Sequence, residues 1–340
     1  MDLLAAQDPG VQPVARFGGD PKAGALALRV AGALHRIAQD GRDDRLAELY
    51  SHAEASQARD SAPLLSSTLR ANGDRLEIYL AHAPQTNEVA RSAMLLGGFL
   101  TVAQAWRLPL AVLEIGASAG LNLLFDRYRY DFREWTWGPQ DARLTIAADW
   151  EGSRPPDANP IIAARLGCDR RPLDLRDDEA RRRLRSYVWA DQKDRMERLD
   201  RAIATALADP PRIEHADAAD WLEALLAQPR PERVTVILHS IVWQYLGAEA
   251  QGAHHRSDHA VRRTGQCRGT ACLAAPGAGI GCRTTGTPAD LMAGRRGTSP
   301  RARGLSRPAH DLARPAARLI EATGRIATTG DAHVRAGCVL

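Results

Sequence analysis

The stretch Ala111–Leu124, AVLEIGASAGLNLL, decides how this chain is read. Val112, Leu113 and Ile115 make an apolar run suited to a buried strand, and Gly116 to Gly120 a tight turn of small residues. Leu121, Leu123 and Leu124 then mark the apolar face of a following helix. Strand, glycine turn and helix in that order make a nucleotide-binding shape. Glycines let backbone approach a ligand, the N–H groups of the turn face it, and the start of the helix adds the positive end of a dipole.

Two chemistries compete for these residues. As acid-x-G-x-S-x-G, the segment resembles the first motif of Rossmann-like S-adenosylmethionine (SAM) methyltransferases, with Ser118 where the middle glycine usually stands. Glu114 would then sit at the strand end, near the charged amino-acid moiety of the cofactor, with Gly116, Ser118 and Gly120 shaping the turn. As G-x-S-x-G, the same residues imitate the nucleophile elbow of α/β-hydrolases, with Ser118 as an acylatable serine. The residues ahead of the turn look helical and hold no His-Gly-Gly oxyanion loop, which favours the SAM reading. A purely structural strand-turn-helix is the third alternative.

Further strands support the SAM reading. In IIAARLGCDRRPLDL, an apolar run reaches Gly167 and ends at Asp169, an acid that in a Rossmann-type sheet binds ribose hydroxyls. Asp169 lies about fifty residues beyond the turn, rather than the usual twenty or so. Residues 127–153, rich in aromatic and β-branched side chains, account for the excess as an inserted β-hairpin; without such an insertion, Asp149 or Asp126 becomes the ribose candidate. PRIEHADAADWL gives a short strand through Ile213 and then Asp217-Ala218, the acid-Ala pair that lies beside adenine in these enzymes. Asp217 is equally suited to cap a helix starting near Ala219. The strand in RVTVILHSIVWQYL runs from Val234 to Leu238 and stops at His239-Ser240, with Trp243 and Gln244 beyond. Ligands of open α/β sheets sit outside the carboxyl ends of strands, so His239 is placed to act as a general base; a hydrogen-bonded structural histidine is the alternative.

The first hundred residues have apolar side chains at three- and four-residue spacing, which predicts three or four amphipathic helices. Within them stands Pro84-Gln85-Thr86-Asn87-Glu88, with Arg91 one turn after Asn87. Thr86 as N-cap and Glu88 in the first helical turn explain it locally. Alternatively Gln85, Asn87 and Arg91 point into a cleft and bind substrate.

Together PQTNEVARSAMLLGG, LEIGASAGLNLLFDRYRY, LGCDRRPLDL and HSIVWQYL resemble domain-of-unknown-function family 2332, over roughly residues 14–250. The resemblance implies a methyltransferase-like fold and no established reaction. The chain departs from the pattern near Arg171, where the family favours an amide side chain.

Past Gly247 the character changes. All aromatic residues lie before that point, and fourteen arginines face six acids after it, with no lysine. That composition reads as a frameshifted product of a GC-rich gene. His254, His255, His259, Cys267 and Cys272 lack paired zinc-ligand spacings, so no metal is expected. The arginines would suit a basic arm, yet no aromatics interleave them to stack on bases, so nucleic acid is not the expected partner.

No run of the eighteen or so apolar residues of a membrane span occurs, and MDLLAAQDPG is no secretory signal, so the expectation is a soluble, cytoplasmic protein. Only Cys168 falls within the body, consistent with a reducing compartment. The expected architecture is α/β: a helical N-terminal cap (1–106), a Rossmann-like SAM-methyltransferase-type core with an inserted hairpin (107–250) and a basic tail (251–340). The expected function is SAM-dependent methyl transfer to a small-molecule acceptor. A serine hydrolase using Ser118, or a truncated non-catalytic relative, are the alternatives.

Overall fold

The computed structural model of the chain describes residues 11–51, 61–227, 230 and 232–241, together with three further strands. Trp243, Gln244 and the histidines and cysteines of the expected tail lie outside the described residues, except for Cys272 and Cys338, which stand on strands.

Among the described residues six helices precede the sheet: α1 (Gln12–Ala15), α2 (Leu26–Gln39), α3 (Asp44–Ser51), α4 (Ala62–Ala71), α5 (Gly73–Ala81) and α6 (Arg91–Trp106). Residues of α1 to α5, among them Ile37, Leu46, Leu69 and Leu76, form a core of their own. α6 is different. Its sequence, RSAMLLGGFLTVAQAW, is apolar on nearly every side, and it is buried against the sheet rather than in the helical layer.

The main sheet has strands β1 (Leu110–Ile115), β5 (Ile162–Asp169), β6 (Arg212–His215), β7 (Val234–Ser240) and β8 (Thr270–Ala275). Every pairing in it is parallel, in the order β6-β5-β1-β7-β8. Counted among themselves, these strands run 3-2-1-4-5, so the chain order reverses at β1. A parallel sheet must be covered on both faces, and this one is. Val112, Val236 and Leu238 face α6 and helix α8 (Lys193–Ala208) on one side. Leu113, Ile115 and Ile237 meet Trp221 and Leu222 of α9 (Ala218–Leu226) on the other.

The insertion after β1 is a three-stranded sheet rather than a simple hairpin. β2 (Arg129–Asp131) pairs antiparallel with β3 (Thr136–Trp137) and parallel with β4 (Thr145–Ala147). Its aromatic side chains explain why it stays attached. Phe125 stacks on Phe99 of α6 at 3.8 Å between ring centroids, and Trp150 lies over Gly97, where a Cβ would come within 2.4 Å of its ring. Between β5 and β6 a segment rich in charged residues forms two helices, α7 (Asp178–Ser186) and α8. The pair β9 (Ala322–Ile326) and β10 (Val334–Cys338) is antiparallel and forms a separate two-stranded sheet. Among the described residues no helix is long and apolar enough to cross a membrane.

Candidate functional site

The turn after β1 takes three residues into the left-handed region: Gly116 (φ 64°), Ser118 (φ 55°) and Gly120 (φ 72°). Ser118, carrying a Cβ, holds that conformation at a cost of about 1–2 kcal/mol. The next segment is not an α-helix. Leu121–Arg127 is a 3-10 turn with Leu124 off helical geometry. Two tyrosines of the insertion account for this. Tyr128 Oη donates to Leu121 O and Tyr130 Oη to Phe125 O, both at 2.8 Å, engaging carbonyls on which a continuing helix depends. The expected α-helix behind the turn is replaced by this kinked 3-10 segment.

The N–H groups of the turn are largely satisfied from within. Ala117 N–H donates to Cys168 O and Gly120 N–H to Ala117 O. Ser118 N–H donates to Asp169 Oδ2 at 2.8 Å, and Arg171 N–H to Asp169 Oδ1 at 2.7 Å. Asp169, expected to hold ribose, thus fastens the glycine turn to the loop after β5. Leu121 N–H donates to Asn87 Oδ1 at 3.0 Å, so Asn87 reaches the turn from the segment before α6. A Cβ on Gly120 would meet Ile213 Cδ1 at 2.6 Å and Pro211 Cγ at 2.9 Å; its space is filled by protein.

Behind the turn lies a buried polar cluster. Glu114 (1% exposed), Ser118 (5%) and Asn122 (1%) are as enclosed as the surrounding leucines. Glu114 Oε2, Ser118 Oγ and both amide atoms of Asn122 make no close hydrogen bond, although the Asn122 amide interacts with the Glu114 carboxyl. Unpaired buried polar atoms are rare in proteins, and where they cluster a water or ligand is the usual partner. Burial pushes the Glu114 carboxyl up to about 8, against the opposing pull of the Asn122 amide and the Arg91 guanidinium; the Asp169 charge adds to the rise. Glu114 pairs in register with Gly167 and Leu238. Arg91 closes the cluster by donating to Ser240 Oγ at 2.7 Å.

His239 is placed differently. It is buried, and strand alternation puts it on the face of Ile237, opposite Ser240 and Arg91. The sheet therefore separates His239 from Arg91. The Ser118 hydroxyl has no base bonded to it, as a serine nucleophile requires. Gln85 Nε2 donates to Arg171 O at 2.6 Å and so ties the loop before α6 to the loop after β5.

Thr86 does not cap α6, which begins at Arg91 without a side-chain cap; Glu88 Oε1 accepts the Ala90 N–H instead. Burial would raise the Glu88 carboxyl, but the charges of Arg195 and Arg198 outweigh it and hold it below the usual range. Asp217 caps α9 through Ala219 N–H at 2.9 Å and pairs with Arg170 at 2.6 Å. Asp126 and Asp149 are bonded elsewhere, to Arg165 and Arg133. Cys168 is buried and free, its thiol pushed up to about 12 by burial. Among the described residues no group of three His, Cys, Asp or Glu side chains is arranged to hold a metal ion. Asn122 is the site residue that sequence reading missed. Its one signal is an amide in the otherwise apolar LNLLF.

Fold and site define a mixed α/β protein built on a parallel sheet, with a polar cluster behind a glycine turn at the carboxyl edge. Residues 1–291 match the family described as "Uncharacterized protein conserved in bacteria (DUF2332)". The chain belongs to that family, and the match continues some distance past residue 250, the expected end of the resemblance. No curated protein and no solved structure matches it.

Proposed function

We propose that the chain binds S-adenosylmethionine at the carboxyl edge of β1 and β5 and is a methyltransferase for a small-molecule acceptor. One observation carries this reading: the strands run 3-2-1-4-5, and the glycine turn lies on the central strand where that order reverses. Open α/β sheets bind nucleotide-like ligands at that place. The buried, unpaired atoms of Glu114, Ser118 and Asn122 fit the charged amino-acid end of such a cofactor, since they need polar partners.

The cofactor supplies a methyl group on a cationic sulfur, and the protein's task is chiefly positioning. In this reading Glu114 faces the ammonium group. Gly116, Ser118 and Gly120 fix the turn, and Asp169 shares its remaining acceptor positions with ribose hydroxyls. Asp217, besides capping α9, borders the adenine. On the acceptor side, Gln85, Asn87 and Arg91 present polar groups, with Trp243 and Gln244 following β7. His239 takes up a proton only if the acceptor enters from the α9 face.

Isothermal titration of the full chain with S-adenosylmethionine and its demethylated product tests the proposal. Saturable binding of both, weakened by Glu114→Gln, is the expected result. Absence of binding by protein shown to be folded by circular dichroism would overturn it.

A further inference from the structure

Three arginines and a histidine gather where the N-terminal helices meet the loop after β5. Arg29 comes from α2, His82 closes α5, Arg171 follows Asp169 by two residues, and Arg183 lies on α7. They feel one another's charge. Burial and then the charges of Arg183, Arg171 and Arg29 hold His82 below its usual range, and burial with Arg171 and Arg29 lowers Arg183.

The backbone holds these groups in place. Arg29 Nη1 donates to Leu80 O at 2.6 Å and Arg183 Nη2 to Ala83 O at 3.1 Å, both around the end of α5. The bond from Gln85 to Arg171 O draws the fourth segment in. Arg29, Arg171 and Arg183 have no carboxylate partner among the described residues, whereas Arg36, Arg170, Arg176, Arg181, Arg182 and Arg185 each have at least one. Glu179, the acid nearest His82 and Arg183, is itself bonded to Arg36. Arg183 Nε is buried without a hydrogen-bond partner. His82 and Arg183 line a pocket between α2, α5 and α7 with Arg36, Tyr79 and the Arg36-bonded Glu179, and Arg29 and Arg171 lie outside that lining.

We propose that this cluster receives a phosphoryl group, free or as the ester of a small molecule. Guanidinium forks match tetrahedral oxyanions in paired hydrogen bonds, and arginines without carboxylate partners lose mutual repulsion when a dianion enters. The side chains differ from those of the turn cluster, so the site stands apart from the adenosylmethionine reading.

Isothermal titration of the full chain with inorganic phosphate, and separately with glycerol phosphate, at fixed ionic strength tests it. Saturable binding is expected, and a tighter ester identifies a phosphorylated small molecule as the source. Arg171→Gln and Arg183→Gln should each weaken binding about tenfold or more, as expected for a lost charge-assisted contact. Arg171 is exposed and its side chain makes no hydrogen bond among the described residues, so that variant keeps its fold. Arg176→Gln, in the same loop but paired with Asp174, should bind as the parent does. No saturable binding by the parent, undiminished binding in both Arg171→Gln and Arg183→Gln, or an equal loss in Arg176→Gln would overturn the site.

Discussion

Replacing Glu114 by glutamine should change how the stability of this protein depends on pH. The carboxyl group would titrate at 4.5 if unperturbed and at about 8 where burial holds it in the fold. The native state therefore keeps a proton that the unfolded chain releases above 4.5. The stabilisation linked to that proton is complete below 4.5, declines as pH rises and is gone above about 8. At about 1.4 kcal/mol per unit, the rise amounts to about 5 kcal/mol across the window. Glutamine keeps the shape and carries no titrating proton. Urea unfolding of both proteins at pH 5, 6, 7, 8 and 9 isolates the effect, because the other shifted groups, including His35, Asp126 and Asp200, are common to both and cancel. The variant should gain on the parent by about 3–5 kcal/mol between pH 5 and 8. Parallel curves would refute the reasoning and place Glu114 in contact with water or a cation in solution.

Gly120→Ala should cost about 1–3 kcal/mol in urea unfolding, because the new methyl group meets Ile213 and Pro211 and the backbone is left-handed there. Asn87→Ala should cost about 1–3 kcal/mol by leaving the Leu121 N–H buried and unpaired, while Asn87→Asp, which keeps the acceptor, should cost less. Asp217→Ala should lose about 1 kcal/mol of thermal stability through the α9 cap, and Asp217→Asn should retain most of it, since the exposed pair with Arg170 adds little. A fluorophosphonate probe should leave Ser118 unlabelled in the native chain, its hydroxyl being buried and unactivated; labelling abolished by Ser118→Ala would restore the hydrolase reading.

Much of the sheet is legible in the sequence because its strands are short apolar runs that stop at polar residues. The run ending at Asp169 is β5, the one through Ile213 is β6, and the one from Val234 is β7, extended by His239 and Ser240. The helical layer is only partly legible. α2 and α3 have clear apolar spacing and α6 is a nearly continuous apolar run, whereas α4 and α5 are parted at Asn72-Gly73, a turn signal that three- and four-residue spacing alone passes over. The 3-10 geometry after the turn could not be read at all. It depends on hydroxyls of Tyr128 and Tyr130 folding back, a tertiary event that leucine periodicity does not report.

The candidate site shows the same division between residue type and partner. An acid at a strand end and glycines in a turn mark where a backbone crowds itself or a ligand, and spacing alone does not say which. Here Asp169 binds two N–H groups of its own chain, Gly120 is filled by Pro211 and Ile213, and Asp217 caps a helix. These assignments account for the conspicuous residues without a ligand. The atoms they leave over are the informative ones. Glu114 Oε2, Ser118 Oγ and the Asn122 amide are buried without close hydrogen bonds, and folding alone gives no reason to bury them so. A ligand or water that completes them would recover the desolvation cost of each group. The pH titration of Glu114 therefore also reports binding: a cationic partner would pull its carboxyl down from about 8 and release a proton near neutrality.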